Sequence, residues 1–215
     1  MITKDYQQPS ASDISSILRR FSIAPDDLLI SRIQIYLELL DRWNRGVSLT
    51  SLRDPLDIVR THFAESLFAL RAVPIEHGRL ADVGTGAGFP GFALKLGCPD
   101  LEVTLIESNA RKCAFLSELK RALEMKGISV IRSGYVDFKL ATNRFDSIVA
   151  RALGGYTSLL KWASAALTPT GRVILWLGRS ETGALSSLEK WYWMPPVLIP
   201  LSRQRFILAG SPRRP

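Results

Sequence analysis

From residue 79 onward, short β-rich runs of the sequence alternate with segments of helical spacing. Such alternation predicts a parallel sheet with helices on both faces, the doubly wound, Rossmann-like α/β class. Near the end of the chain, VLIPL (197–201) and RQRFILA (203–209) are almost contiguous. A connection that short fits an antiparallel hairpin, because a parallel crossover needs about a dozen or more residues. We therefore expect a mostly parallel sheet with an antiparallel last strand. The predicted strands are 79–84, 101–107, 128–133, 145–151 and 171–177, and the predicted helices are 90–97, 109–126 and 156–167.

The part of the chain before residue 79 has a different spacing of apolar residues. Residues 10–71 show helical spacing of their apolar side chains. Pro25 followed by two aspartates is typical of a first helical turn, and Asp54 ahead of a proline is typical of an N-cap. We expect an N-terminal helical cap over 1–78 and a domain that carries the chemistry over 79–215.

The charges of the chain are unevenly distributed. The net charge is +8, yet residues 1–78 hold nine Lys and Arg against ten Asp and Glu, so residues 79–215 carry the whole excess. A one-sided positive field attracts polyanions, and nucleic acid or the ribosome is the commonest such partner. The alternative is a basic surface that serves solubility alone.

The sequence predicts neither a membrane segment nor a metal site. It has no run of about 18 apolar residues, and its start lacks a basic flank followed by an apolar stretch, so we expect a cytoplasmic protein. Cys98 and Cys113 form neither a CxxC pair nor a Cys/His cluster. A disulfide framework and a zinc site are therefore not expected, and both residues are predicted to be partly buried thiols.

The stretch LADVGTGAGFPG, residues 80–91, joins an apolar run that ends in Asp82 to a series of alternate glycines. In a doubly wound sheet, the turn after the first strand is where a nucleotide-bearing cofactor binds. Gly84 and Gly86 permit positive φ and a close approach of the backbone. A dinucleotide fingerprint needs a small residue where Phe89 stands, so the turn favours a cofactor without phosphates. The predicted cofactor-binding residues of this stretch are Asp82, Gly84, Gly86 and Phe89.

Acidic side chains after the second and third predicted strands extend this candidate site. Glu107 follows Gly86 by 21 positions, where a carboxylate accepts hydrogen bonds from both hydroxyls of an adenosine ribose. Asp137 is placed to accept from an adenine amino group, while the Val136 amide meets a ring nitrogen. NAD and S-adenosylmethionine (AdoMet) sites share the ribose contact, but the expected sheet is the layout of AdoMet-dependent methyltransferases. The alternative is that both acids are surface residues.

The string LADVGTGAGFPGFALKLGCPDLEVTLIESNARKCAFL resembles the core of the GidB (RsmG) family of bacterial 16S rRNA guanine-N7 methyltransferases. The resemblance extends through DRWNRGVSLTSLRDPLDIVRTHFAES upstream and through FDSIVARAL, LTPTGRVIL and RQRFIL downstream. It implies a class I methyltransferase fold, AdoMet as cofactor, and 16S rRNA or the small ribosomal subunit as partner. The contacts that it implies are Gly84, Phe89, Val136, Asp137 and Arg151 with AdoMet, and Arg111 and Arg205 with rRNA.

Four positions depart from the pattern of that family. Tyr135 stands in place of an Arg, Ser48 in place of an Asn, Thr61 in place of the Arg before the histidine, and Leu177 in place of the Lys of ALKG. Since a fold fixes its cofactor more firmly than its target, a methyltransferase with another acceptor stays an alternative. A second is a noncatalytic rRNA-binding assembly factor. An NAD-dependent dehydrogenase is opposed by Phe89.

Methylation of guanine N7 requires alignment more than acid–base chemistry, because N7 has a free lone pair and the sulfonium methyl is already activated. We therefore nominate no general base. Arg151 ends the fourth predicted strand and is expected to bind the methionine carboxylate or an RNA phosphate, the alternative being a surface salt bridge.

Further residues are candidates for contacts with RNA. His62, in the cap, is read either as a hydrogen-bond partner of the target loop or as a packing residue. Arg203 and Arg205, with the tail SPRRP, are expected to contact phosphates. The aromatic run WYWMPP, 191–196, is expected to pack at the sheet edge, although its rings could also stack on bases.

We expect the protein to be a monomer.

Overall fold

The computed structural model describes residues 6–140 and 144–214, and the strands among them form one eight-stranded sheet. In chain order the strands are β1 (Gly78–Val83), β2 (Leu101–Glu107), β3 (Ile128–Arg132), β4 (Phe145–Arg151), β5 (Leu167–Gly178), β6 (Trp191–Trp193), β7 (Val197–Leu198) and β8 (Arg205–Pro212). Across the sheet the order is β3-β2-β1-β4-β5-β8-β6, and β7 also pairs with β8. The pairs from β3 to β5 are parallel, and β8 is antiparallel to β5. The predicted fold class is confirmed.

The helices precede the sheet in the first third of the chain and then alternate with its strands. They are α1 (Ala11–Arg19), α2 (Asp27–Asn44), α3 (Pro55–Ile58), a π-helix (Val59–Ala64), α4 (Glu65–Leu67), α5 (Ala69–Ala72), α6 (Gly91–Gly97), α7 (Ala110–Ala122), α8 (Tyr156–Ala166) and α9 (Arg179–Ser186).

Side-chain caps explain where the first helices begin. Asp26 accepts a hydrogen bond from Leu29 N at 2.7 Å, so α2 begins at Asp27, two residues after the predicted start. Asp54 accepts from Leu56 N at 2.8 Å, and the predicted N-cap there is confirmed. The π-helix that follows α3 has no counterpart in the predictions.

Two other elements differ from the sequence-based expectation. β5 begins at Leu167 rather than at residue 171, because the chain pairs with Phe145 before a register shift that passes Pro169. The helix α9 was not predicted, since its eight residues are too few to show a period. The run WYW forms β6 on the outer side of β8, and the rings of Trp191 and Trp193 stack at 5.4 Å, as edge packing predicts.

The sheet is buried on both faces by different helices. On β4, Val149 packs into a core with the N-terminal helices, α6 and α7, whereas Ile148 and Ala150 pack into a second core with α8. Tyr36 of α2 and Phe63 of the π-helix belong to the first core. The N-terminal helices therefore form part of the covering layer on one face. The division into a cap and a domain at residue 78 stays a prediction.

Parallel pairing brings the carboxyl ends of four strands to one edge of the sheet. Val83 lies opposite Ile106, and Glu107 lies opposite Arg132. The turns after β1, β2, β3 and β4 are therefore neighbours.

Within the described residues, no helix is both long and apolar enough to cross a membrane.

Candidate functional site

The glycine turn after β1 leaves room above its backbone at Gly86, whereas a Cβ added at Gly84 would meet Leu153 Cδ1 at 3.0 Å. Gly84 and Gly86 have φ of +68° and +60°, which an L side chain rarely adopts. A Cβ added at Gly86 would meet only the Gly84 carbonyl oxygen, at 3.9 Å. The turn is anchored to the next strand, since Gly84 N donates to Ile106 O at 2.9 Å. This open backbone at the carboxyl edge fits the close approach of a ligand.

Glu107, at the end of β2, ties this turn to the start of the next helix. Its Oε2 accepts from Gly86 N at 3.0 Å and its Oε1 from Asn109 N at 2.8 Å. The side chain is buried, with 7% of the residue exposed. Sequence spacing predicted that Glu107 lies beside the glycine turn, and the structure brings them together. A carboxylate has about four lone-pair sites, so further donors can bind.

Asp82 lies under the turn and does not reach the surface. Its Oδ2 accepts from Thr85 Oγ1 at 2.6 Å and from Gly91 N at 2.7 Å, while Oδ1 has no partner among the described residues. Burial raises the pKa of this carboxyl to about 7, although both hydrogen bonds and the charge of Arg151 oppose the rise. Asp82 was predicted to bind the cofactor. In the structure the turn covers its side chain, which holds the backbone of the turn from beneath and does not line the space above it.

Arg151 ends β4 at the same edge and is held by the N-terminal helices. Its Nη1 donates to Thr61 O at 2.8 Å, and its Nη2 lies 2.5 Å from His62 Nδ1. Burial lowers the pKa of the guanidinium, and the nearby carboxylate of Glu65 opposes that shift. The His62 ring stacks on Phe89 of the glycine turn, with centroids 4.8 Å apart. Arg151, His62 and Phe89 thus form one packed group beside the turn.

Val136 and Asp137 lie in the turn after β3, next to Glu107. Both are exposed, Val136 by 66%. Asp137 N donates to Gly134 O at 3.1 Å, which closes the turn, and the Val136 amide donates to no residue in the described ranges. Ser133 N donates to Glu107 O at 3.0 Å, so this turn adjoins the end of β2. The geometry fits the predicted adenine contacts, which stay a prediction.

The basic candidates for RNA contacts fall into three places. Arg111 is exposed in the first turn of α7 and lines a surface pocket with Arg42 and Trp43. Arg203 is exposed before β8, whereas Arg205 donates to both oxygens of Glu65, at 3.2 and 2.5 Å. The tail lies at the opposite edge of the sheet, because β8 runs antiparallel to β5. Of the tail residues, Pro215 lies outside the described part of the chain.

Three residues of the site, Thr50, Glu65 and Tyr36, were not singled out from the sequence, and Thr61 was noted there only for its side chain. Thr50 contacts His62 and the Thr61 carbonyl contacts Arg151, while Glu65 pairs with Arg205. Tyr36 donates its hydroxyl hydrogen to Ala87 O within the glycine turn. Glu65 offered one signal, as a lone carboxylate in the apolar run HFAESLFAL.

At the positions that depart from the family pattern, the side chains pack against the protein or are exposed. Tyr135 packs edge-on against Trp162 with centroids 5.7 Å apart, and Leu177 is buried in the core with α8. Ser48 is exposed. At Thr61 it is the backbone carbonyl that holds Arg151, so that contact does not depend on the side chain.

The cysteines and the metal-binding side chains add no further site. Cys98 is half-buried and Cys113 is buried, as predicted, and burial raises the pKa of both thiols. Across residues 6–140 and 144–214, no group of three or more His, Cys, Asp or Glu side chains is arranged to hold a metal ion.

Comparison with solved structures shows the class of fold. A SAM dependent methyltransferase from Aquifex aeolicus superposes with a TM-score of 0.62 at 17% identity, over 76% of this chain and 96% of that one. The ribosomal protein L11 methylase from Lactobacillus delbrueckii subsp. bulgaricus superposes with a TM-score of 0.59 at 18% identity, over 72% and 80%. The fold is that of AdoMet-dependent methyltransferases.

Comparison of sequences shows the family. Residues 29–195 match the model of GidB, rRNA small subunit methyltransferase G. The ribosomal RNA small subunit methyltransferase G of Xylella fastidiosa (strain 9a5c) is 35% identical over 178 residues, which cover 82% of this chain and 81% of the relative. The protein of the same name from Stenotrophomonas maltophilia (strain K279a) is 34% identical over 198 residues, 91% and 92% of the two chains. This chain belongs to the GidB family of rRNA small subunit methyltransferases.

Proposed function

We propose that this protein transfers a methyl group from AdoMet to N7 of a guanine in the 16S rRNA of the small ribosomal subunit. The observation that carries the proposal is the meeting of three groups at the carboxyl edge of the sheet. These are the glycine turn, which is open at Gly86, the buried carboxylate of Glu107 and the guanidinium of Arg151. Membership of the GidB family supports the same reaction and the same partner.

The groups around the turn fit AdoMet part by part. The remaining lone pairs of Glu107 would accept from the ribose hydroxyls, and the turn at Val136 and Asp137 would receive the adenine. Arg151 would bind the methionine carboxylate, because a guanidinium offers paired donors to a carboxylate. The turn itself carries Phe89 where a pyrophosphate site needs a small residue, which matches a cofactor without phosphates.

Bound AdoMet supplies a methyl group on a sulfonium, which needs no further activation. Guanine N7 attacks with its own lone pair, so the side chains of this site have no proton to remove. Their task is alignment, and holding two reactants in an in-line geometry contributes about 7 to 11 kcal/mol at best. The reaction moves a positive charge from the sulfonium to the purine and creates no new charge. The site accordingly needs no general base.

The charge of the chain supports a polyanionic substrate. The net charge is +8, and Arg111 and Arg203 are exposed. Both adjoin the carboxyl edge: Arg111 follows β2 by four residues, and Arg203 precedes β8, whose first residue lies opposite the end of β5. We include in the proposal a cytoplasmic location and a monomer, and light scattering of the purified protein tests the second.

Transfer of labelled methyl groups tests the proposal. Small ribosomal subunits from a strain deleted for this gene are incubated with the protein and labelled AdoMet, with large subunits as the control substrate. The proposal predicts label in the rRNA of the small subunit only. Label in protein, or equal label in both subunits, would contradict the proposed target. Absence of label with AdoMet still bound would indicate another acceptor.

A further inference from the structure

The imidazole of His62 is held between two side chains that come from different parts of the chain. Arg151 Nη2 lies 2.5 Å from Nδ1, and Thr50 Oγ1 lies 2.9 Å from Nε2. An arginine guanidinium has only donors, so Nδ1 must be the acceptor. The ring proton of the neutral imidazole therefore resides on Nε2 and is donated to Thr50. Both ring nitrogens are engaged within the chain.

The ring plane of His62 is fixed as well as its nitrogens. His62 and Phe89 stack with an interplanar angle of 29°. Phe89 in turn stacks with Tyr36, at 5.2 Å and 28°. Burial, and then the charge of Arg151, lower the pKa of His62 to about 3, so the ring is neutral throughout the physiological range. A neutral ring keeps Nδ1 free to accept from the guanidinium.

Arg151 uses only part of its hydrogen-bonding capacity on these partners. One N–H of Nη1 is directed to Thr61 O and one of Nη2 to His62. A guanidinium has five N–H groups. The other three make no hydrogen bond to a residue in the described ranges, and Arg151 is partly exposed at the edge where the glycine turn lies. The N-terminal helices thus determine which donors of Arg151 face the site.

We infer that His62 is a positioning residue: as the Nε2–H tautomer anchored to Thr50, it orients the Arg151 guanidinium toward AdoMet. The inference rests on the proposed function, because it concerns the residue that would bind the cofactor carboxylate. It assigns His62 a role inside the cofactor site rather than a contact with the RNA target. Thr50, in the loop between α2 and α3, would take part in the same positioning by holding Nε2 of His62.

Two replacements of His62 separate its nitrogens. The side-chain amide of Asn reaches the place of Nδ1, whereas that of Gln reaches the place of Nε2. His62→Asn therefore keeps an acceptor for Arg151, and His62→Gln keeps only the partner of Thr50. Charge-assisted hydrogen bonds are among the strong ones, so we expect His62→Gln to raise the Kd of AdoMet about tenfold or more. His62→Asn should keep it within about threefold of the wild type, by the same reasoning.

Calorimetry of AdoMet binding and anisotropy with a labelled 16S rRNA fragment give the two readouts. We expect the RNA affinity of both variants to be unchanged. A loss of RNA affinity with unchanged AdoMet affinity would overturn the inference in favour of an RNA contact. Equal weakening of AdoMet binding by Asn and Gln would also overturn it, since a merely structural role does not distinguish them. A wild-type protein that binds no AdoMet would overturn the proposed function itself.

Thr50→Val, compared in the wild type and in His62→Asn, adds a test. Any effect of this substitution on AdoMet binding through the loop itself is the same in both backgrounds and cancels in the comparison. Thr50 Oγ1 also accepts from Leu52 N at 3.2 Å, so this variant disturbs the loop in any background. If Thr50 acts through Nε2–H, Thr50→Val raises the Kd of AdoMet when His62 is present, by no more than the roughly threefold expected for His62→Asn, and has no further effect on His62→Asn. An equal effect in both backgrounds would show that Thr50 acts through the loop alone, which would contradict the inferred relay.

Discussion

Glu107 serves the fold and the candidate site with the same carboxylate. One oxygen holds the amide of Gly86 in the glycine turn, and the other holds the amide of Asn109, the N-cap of α7. Two segments that follow different strands are thereby fixed relative to each other. A ligand that rests on both segments meets a preformed surface.

Replacement of Glu107 by Ala should weaken AdoMet binding by about 1 to 3 kcal/mol, because two backbone amides and the ribose hydroxyls lose their acceptor. Isothermal calorimetry measures the change. Glu102→Ala is the matched control, since Glu102 is an exposed glutamate at the other end of the same strand. An affinity equal to that of the control would remove Glu107 from the site.

The buried carboxyl of Asp82 and the half-buried imidazole of His62 give opposite pH dependences of stability. The pKa of Asp82 is raised from 3.8 to about 7, so the folded chain binds a proton that the unfolded chain releases, and this contribution to stability is lost as pH rises from 3.8 to 7. The pKa of His62 is lowered from 6.5 to about 3. Its contribution is present above pH 6.5 and is lost as pH falls toward 3. Between pH 4 and 6.5 the two partly cancel.

Variants should separate these two contributions. Relative to Asp82→Asn, the wild type should lose free energy of unfolding as pH rises from 4.5 to 7, by up to about 1.4 kcal/mol per pH unit. Relative to His62→Asn, it should lose free energy of unfolding as pH falls below about 6. Urea titrations without cofactor at several pH values measure both differences. Parallel pH curves for wild type and Asp82→Asn would contradict the assignment of the first slope to Asp82.

At the scale of elements, the sequence predicts those whose signal is local. The strands β1 to β4 appear as bounded apolar runs, and the start of α3 follows from Asp54 and the next proline. The N-terminal part of β5 was missed because LTPT is polar and contains a proline, although the strand pairs there across a register shift. The π-helix at Val59–Ala64 has no pattern of its own, since its hydrogen bonds are not determined by side-chain period.

In the candidate site too, the features with a local sequence signal were predictable and the contacts between distant residues were not. The glycine turn and Glu107 were predictable, because the edge where parallel strands end follows from the order of strands and helices. The contacts of Arg151 with His62 and of Arg205 with Glu65 join residues 89 and 140 positions apart. No sequence spacing encodes such pairs, since they depend on how the N-terminal helices pack on the sheet.

The ion pair of Arg205 with Glu65 links α4 to β8 and should contribute to stability. The Glu65 side chain is 3% exposed and the Arg205 side chain is 52% exposed. Arg205→Gln leaves a buried carboxylate with weaker partners. Because the arginine is half-exposed, we expect a loss of about 1 to 3 kcal/mol, less than for a fully buried pair. Denaturant unfolding measures it, with the exposed Arg203→Gln as control. Equal stability of the two variants would show that the pair contributes nothing.

At the scale of the whole molecule, the N-terminal helices support the glycine turn. Tyr36 of α2 donates to Ala87 O in that turn, and its ring packs on Phe89, Phe63 and Phe92. The same helices hold Arg151 through Thr61 and His62. The candidate site is therefore built by the sheet and by the N-terminal helices together.

The positive charge of the molecule should appear as a salt dependence of RNA binding. If Arg111 and Arg203 each contact a phosphate, changing either to Gln should lower the slope of log K against log salt by about 1. Arg79→Gln is the control, because Arg79 is exposed at the start of β1, on the opposite edge of the sheet. Filter binding at salt concentrations from about 50 to about 300 mM measures the slope. A slope as steep as that of the wild type would exclude a phosphate contact for the residue concerned.

Chemical cleavage of the methylated rRNA identifies the atom that receives the methyl group. Small-subunit rRNA methylated by this protein is treated with borohydride and aniline, which cleave the chain at 7-methylguanosine, and the fragments are measured by mass spectrometry. Transfer to guanine N7 predicts scission at one guanine, absent without AdoMet and absent in rRNA from untreated subunits of the deletion strain. A methylated rRNA that resists scission would place the methyl on another atom and would contradict the proposed reaction.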